Sequence, residues 1–211
     1  AGTDLGPGWR TGAAGLFGRP ARDVPWHGER RRMYDREVEV PRLLSFYDED
    51  DQLPDLVLTQ ARSALSAHYA RELGEPFRTA GLCFYRDGLD SVAWHGDTIG
   101  RGPREDTRVA IISVGAPRAL LLRRRGGVAG RPIRHVLGHG DLVVMGGSCQ
   151  RTWEHAITKP AKPVGPRISI QPSPRGVRRT PRAGPPFESH PTGHGTAPRS
   201  APGLSGRDRG A

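Results

Sequence analysis

Apolar positions along the chain change their rhythm twice. Between Pro54 and Gly74, residues Val57, Ala61, Ala64, Leu65 and His68 recur at helical spacing. Asp55 stands where a helix wants a cap and Gly74 where a helix stops, so the spacing predicts a helix over residues 55–73. From about residue 80 the rhythm shortens. Runs at 82–85, 91–94, 108–114, 119–122, 142–145, 154–157 and 167–170 are short and apolar-rich, and Gly, Pro and Asp separate them. Runs at these intervals predict an all-β sandwich or barrel over 80–171. Upstream, residues 24–50 hold small clusters (Val24, Trp26, Met33, Tyr34, Val38, Val40) interrupted by charge, which read as short strands or a hairpin. The simplest architecture is mainly β (α+β), with one N-terminal helix packed on a pair of sheets.

The two ends fall outside this pattern. Residues 1–22 are Gly-rich and aperiodic, and are expected to be disordered or degenerate. Beyond Gln171 the aliphatic residues run out. A segment that cannot bury enough apolar surface to offset its ordering entropy stays unfolded, so 172–211 is expected to be a disordered tail. One domain over 23–171 remains. Composition agrees with that division, because only 35% of the 211 residues are apolar while 29 are Gly and 20 are Pro.

No run approaches the roughly 18 apolar residues of a membrane-spanning helix. The first residues lack the basic and apolar regions of a signal peptide, so a cytoplasmic location and no membrane partner are expected. Cys83 and Cys149 cannot alone build a disulfide framework or a four-ligand zinc site, and reduced thiols are expected. A formal charge of +10 favours polyanionic partners through counterion release, although basic, unfolded ends would give the same balance. Nothing suggests a dedicated subunit interface, and a monomer is expected.

Two segments carry candidate chemistry, WHGD at 94–97 and WEH at 153–155. His95 and Asp97 are separated by one residue at the end of a predicted strand, and period-two alternation puts both on one face. His155 lies on another predicted strand. Two histidines and one carboxylate can hold a divalent iron on one face and leave the opposite positions open. A chelating keto acid and dioxygen would take those positions. Such a cosubstrate needs a fixed cation for its distal carboxylate, because a buried unpaired carboxylate is costly. Arginine supplies a bidentate fork, and Arg167 opens the run RISI twelve residues after His155. Taken singly, a His-x-Asp is more often a surface turn, and an arginine at a strand start is more often a surface residue.

The segments YRDGLDSVAWHGD, HGDLVVMGGSCQRTWEHAI and PVGPRISI together resemble the metal-binding core of the AlkB family, within a double-stranded β-helix (jelly roll). The resemblance runs from about Val24 to Gln171. It implies an Fe(II)- and 2-oxoglutarate-dependent dioxygenase that uses O2 to dealkylate N-alkylated DNA or RNA bases, releasing succinate, CO2 and formaldehyde. It implies His95, Asp97 and His155 as iron ligands. Arg167 would pair with the C5 carboxylate of 2-oxoglutarate, and Tyr85 would donate a hydroxyl to the same cosubstrate. Since a base inside a duplex is out of reach, the substrate would be single-stranded or flipped. Residues 23–50 resemble the family's nucleotide-recognition lid, in which Tyr34, Arg36, Arg42 and Tyr47 could stack on bases or hold phosphates. Each aromatic there could equally be a packing residue.

Three departures from the family pattern stand out. The second arginine expected six residues after Arg167 is Ser173, and Pro172 removes a ladder donor beside it. Arg175 is the nearest candidate replacement. The position two before Tyr85, an asparagine in the family, is Cys83. Ile99 replaces an acidic residue that reads the base in some members, so lesion preference does not transfer. Two other functions use the same residues: a 2-oxoglutarate oxygenase acting on protein or small molecules, and a nucleic-acid-binding protein that has lost cosubstrate affinity.

Overall fold

Strands that are apolar along their whole length need cover on both faces. The two most continuous runs here, TAGLCFY and VAIISVG, lie in the middle of three layers. The computed structural model describes residues 2–9, 14–33, 36–97, 106–126 and 130–174, with the backbone alone at 14, 31–33 and 36. In chain order the elements are β1 (Gly2–Gly6), α1 (Ala14–Asp23), β2 (His27–Met33), β3 (Arg36–Tyr47), α2 (Leu56–His68), α3 (Ala70–Leu73), β4 (Thr79–Tyr85) and β5 (Val92–His95). They continue with β6 (Val109–Gly115), β7 (Arg118–Arg124), β8 (Ile133–Leu137), β9 (Asp141–Gly146), α4 (Cys149–Thr152), β10 (Trp153–Ile157) and β11 (Arg167–Ser173).

Seven strands form one antiparallel sheet in the order β1-β9-β6-β11-β4-β3-β2, and four form a second in the order β5-β10-β7-β8. Leu82, Ile112, Ile168 and Ile170 of the larger sheet meet Leu58, Ala61 and Leu65 of the helical layer in one core. The opposite side chains of the same strands, among them Cys83, Tyr85, Ile111 and Met145, meet Leu120, Leu122 and Ile157 of the smaller sheet in a second core. Period-two alternation makes this division, so one-residue steps along β4 or β11 switch between helix side and inter-sheet side. The fold is mainly β, with facing sheets of jelly-roll type and helices on one outer face.

The predicted helix is present and capped as expected. Asp55 accepts a hydrogen bond from the Val57 N–H at 2.9 Å, and Gly74 stops the segment at φ 68°. Tyr69 breaks it into α2 and α3. The buried stripe is Leu58, Ala61 and Leu65, while Ala64 and His68 are exposed and Val57 only partly covered. The anticipated apolar face is therefore rotated.

The N-terminal expectation is corrected. β1 extends the larger sheet by pairing with β9, and the Gly8 N–H donates to Asp141 Oδ1 at 2.8 Å. The Tyr69 hydroxyl donates to Asp4 Oδ2 at 3.1 Å. α1 seats Leu16 in the helix-side core with Phe17 against it. These contacts are long-range, and they override a Gly-rich composition and a Pro20 inside the helix that local rules count against.

At the other end β11 runs to Ser173, past the expected stop at Gln171. The Ala116 N–H bonds to the Pro166 carbonyl and the Arg78 N–H to the Ser173 carbonyl. Antiparallel alternation then turns the Pro172 nitrogen toward β6, whose pairing with β11 ends at Ile170. The missing donor therefore breaks no bond in the β4–β11 ladder. The rest of the expected tail, from 175 on, lies outside the described residues. β8 and α4 were not anticipated. Among the described residues, no helix is long and apolar enough to cross a membrane.

Candidate metal centre

Backbone register delivers the candidate ligands. His95 ends β5 and is the direct Cα partner of His155 in β10. Their rings lie 4.2 Å apart between centroids at 49°. Asp97 follows just past the strand, with Oδ1 3.6 Å from His95 Nε2 and Oδ2 3.5 Å from His155 Nε2. These separations are long for good hydrogen bonds, yet all the ligand atoms lie within 4.8 Å of one another. Such a cluster could hold one shared cation.

The protonation states suit a cation. His95 Nδ1 lies 2.8 Å from the Ala93 carbonyl oxygen. A carbonyl only accepts, so Nδ1 is the donor there and Nε2 is the nitrogen that faces Asp97. Burial drives the His155 pKa down to about 4, helped by His95 and opposed by Asp97. Its ring is therefore neutral near pH 7. Two imidazoles and a carboxylate form the donor set of a non-haem ferrous site with open positions. The side chains are graded in exposure, 6% for His155, 28% for Asp97 and 37% for His95, so the cluster is closed on one side and open on the other.

Arg167 opens β11 on the inter-sheet face, where its Cα partners are Tyr85 and Gly115. It is 0% exposed. Its Nε donates to Ser113 Oγ at 2.9 Å, while both terminal nitrogens are buried without an acceptor. A guanidinium left so is costly, and two parallel donors match the two oxygens of a carboxylate. The residues thus fit a carboxylate-bearing cosubstrate. Burial pushes the Tyr85 hydroxyl pKa up, against the pull of Arg167, Arg42 and Arg118, so it stays a donor. The Arg167 and Arg118 guanidiniums lie 5.4 and 5.5 Å from the Tyr85 ring centroid.

Two buried side chains that the sequence does not single out brace the elements around the cluster. Arg118 is buried and donates to the carbonyls of Asp87 (2.9 Å), Asp90 (2.8 Å) and Thr158 (3.0 Å). It clamps the loop leading into β5 to the exit of β10, and so holds both histidine strands. Its one signal was an arginine opening an apolar strand, the feature that marked Arg167. The second support is Gln150, whose side chain accepts the Asp97 N–H.

The lid candidates divide. Tyr34 lies outside the described residues, and of Arg36 only the backbone, at the start of β3, is described. Leu44 pairs with Cys83, so alternation puts Arg42 on the inter-sheet face beside Tyr85. Arg42 Nε is buried without an acceptor, and NH1 reaches the Ser91 carbonyl at 3.5 Å. Burial raises the pKa of the neighbouring Cys83 thiol, while Arg42 and Arg167 draw it down. Tyr47 is a correction. It pairs with Ala80 on the opposite face and packs against the helix-side core, which turns it away from the metal cluster. Ile99 and Arg175 lie outside the described residues.

Comparison with known proteins follows the same lines. A sequence profile described as the 2OG-Fe(II) oxygenase superfamily matches residues 23–181. The chain is 27% identical over 187 residues to the alpha-ketoglutarate-dependent dioxygenase alkB homolog 3 of Bos taurus, covering 78% of this chain and 64% of that protein. It is 27% identical over 184 residues to the DNA oxidative demethylase ALKBH2 of Arabidopsis thaliana, covering 71% and 58% respectively. The chain thus spans about three fifths of the length of these relatives. The solved structure of OsALKBH1 is similar in fold, with a TM-score of 0.57 at 13% identity over 83% of this chain and 97% of that one.

Proposed function

The chain belongs to the 2OG-Fe(II) oxygenase superfamily as an AlkB-type member, and from that premise we propose that it oxidatively removes alkyl groups from N-alkylated bases of DNA or RNA. One observation carries the reading. A fully buried Arg167 with two unpaired donors shares the inter-sheet space with a His-His-Asp cluster fit for a divalent metal.

His95, Asp97 and His155 would hold Fe(II) on one face. When bound, the metal and 2-oxoglutarate supply the oxidising power drawn from O2, with succinate and CO2 as by-products. The protein's own part is binding and orientation. Arg167 receives the C5 carboxylate in a dry pocket, where the charge-assisted pair is strong. The Tyr85 hydroxyl keeps its proton and donates to the same cosubstrate. His155 and the apolar inter-sheet core exclude water from the closed side. Arg42, partly buried with an Nε that lacks an acceptor, is suited to an acceptor oxygen on the incoming base or its phosphate.

A nucleic-acid substrate is supported by the net charge of +10 and by the Arabidopsis relative, which is a DNA oxidative demethylase. The test is release of succinate and formaldehyde from an N-methylated single-stranded oligonucleotide supplied with Fe(II), 2-oxoglutarate and O2. Equimolar release that requires the methyl group is expected. Succinate without formaldehyde would point to another substrate class and count against dealkylation.

One observation favours a second reading, a nucleic-acid-binding protein with weak cosubstrate affinity. Residue 173, where the family carries a second arginine, presents only a serine hydroxyl at the end of β11. A 2-oxoglutarate requirement above millimolar would favour this reading.

A further inference from the structure

His95 and Asp97 are joined by one glycine, and Asp97 stands beyond the end of β5, where no strand partner fixes its backbone. We propose that Gln150 is the positioning residue that sets Asp97 against the two histidines, and that Gly96 is required so that Gln150 can approach. The inference rests on the metal reading of the His95–Asp97–His155 cluster and goes beyond it to the residue that makes the cluster.

Gln150 lies in α4, between β9 and β10, and is 2% exposed. Its Oε1 accepts a hydrogen bond from the Asp97 backbone N–H at 2.9 Å. Its Nε2 faces the sulfur of fully buried Met145 at 3.9 Å. A thioether accepts only weakly, and the Asp97 N–H can only donate. The amide is therefore oriented one way, oxygen toward Asp97 and nitrogen toward Met145.

The backbone of Gln150 grips the same segment. A Cβ on residue 96 would stand 2.5 Å from the Gln150 carbonyl oxygen, 3.3 Å from the Trp153 carbonyl oxygen and 2.6 Å from the end of the Arg125 side chain. The arginine can move aside, but the Gln150 carbonyl belongs to a short helix packed on the core. Glycine at 96 is what lets the segment lie flat on α4.

The coupling has a simple geometry. β10 starts at Trp153 and carries His155, so Gln150 lies five residues before one ligand and bonds the backbone of another. An amide in the dry interior thereby ties the loop ligand to the strand ligand. Groups that orient metal ligands in this way are worth about 10–100-fold in metal affinity when removed. A residue that merely filled the core would change stability and leave affinity alone.

The experiment is titration of the full chain with Co(II), read by its ligand-field absorption, alongside urea unfolding. Gln150→Met keeps the volume and loses the acceptor, and its Co(II) Kd should rise about 10–100-fold. Gln150→Glu keeps an acceptor for the Asp97 N–H and should remain within a few-fold of the parent. Gly96→Ala should weaken binding with Gln150 intact, which keeps the proposal open to test if Gln150→Met fails to fold. Parental affinity in Gln150→Met or, should that variant fail to fold, in Gly96→Ala overturns the proposal. Parent protein that takes up no Co(II) would instead overturn the metal reading, and this inference with it.

Discussion

At the scale of single residues, Arg167 is a costly feature of the fold and a telling one. Two buried donors without acceptors are costly until a ligand or water supplies them. Arg167→Met should therefore leave the stability of the ligand-free protein unchanged or higher, since an apolar side chain relieves a buried unpaired charge. The parent should gain about 2.7 kcal/mol when 2-oxoglutarate is present with Fe(II) at a hundred times its Kd, and the variant nothing. Urea midpoints with and without cosubstrate check both parts. His155 makes a second prediction. Its folded-state pKa is lowered to about 4 from the usual 6.5. Between those values the unfolded chain takes up a proton that the folded chain refuses, so its contribution is complete above about 6.5 and lost as pH falls toward 4. The metal-free protein should lose urea resistance over that window, and His155→Asn should flatten the slope. The candidate ligands were legible as residue types at their spacing, a His-x-Asp and a later histidine on another strand; register then pairs His95 with His155, whereas Asp97 stands past the end of β5. Arg118 and Gln150 were not legible, because their roles exist only in contacts between elements that are distant in sequence.

At the scale of elements, legibility followed how much of each element's order is local. The capped helix and the continuous strands β4, β6 and β9 carry their own signals in Asp55, Gly74 and unbroken apolar runs. β8 is an edge strand with Ile133 and Val136 exposed, so its alternation points to no core and went unread. β1 and α1 are ordered by what they dock against. Leu16 is the test of that docking, being 3% exposed in the helix-side core. Leu16→Ala should cost about 2–5 kcal/mol in urea unfolding if α1 belongs to the folded domain. A loss under half a kcal/mol would return residues 1–22 to the loosely attached segment their composition suggests.

At the scale of the whole molecule, the site is divided between two sheets. The histidines belong to the smaller sheet, and Arg167, Tyr85 and Arg42 to the larger one. A cosubstrate that chelates the metal and reaches Arg167 would bridge the layers, so its binding reports both the ligand set and the way the sheets face. Alternation showed which side chains share a face, but the pairing of faces across the inter-sheet space needed the fold. That is why the triad could be read early while the effect of Ser173 could not. The most direct measurement is anaerobic titration of the purified chain plus Fe(II) with 2-oxoglutarate, followed by the metal-to-ligand charge-transfer absorption. A saturable band is expected in the parent protein, abolished in Asp97→Ala and needing far more cosubstrate in Arg167→Met. No band at millimolar 2-oxoglutarate, or one unchanged in Arg167→Met, would overturn the assignment of the metal cluster and of Arg167.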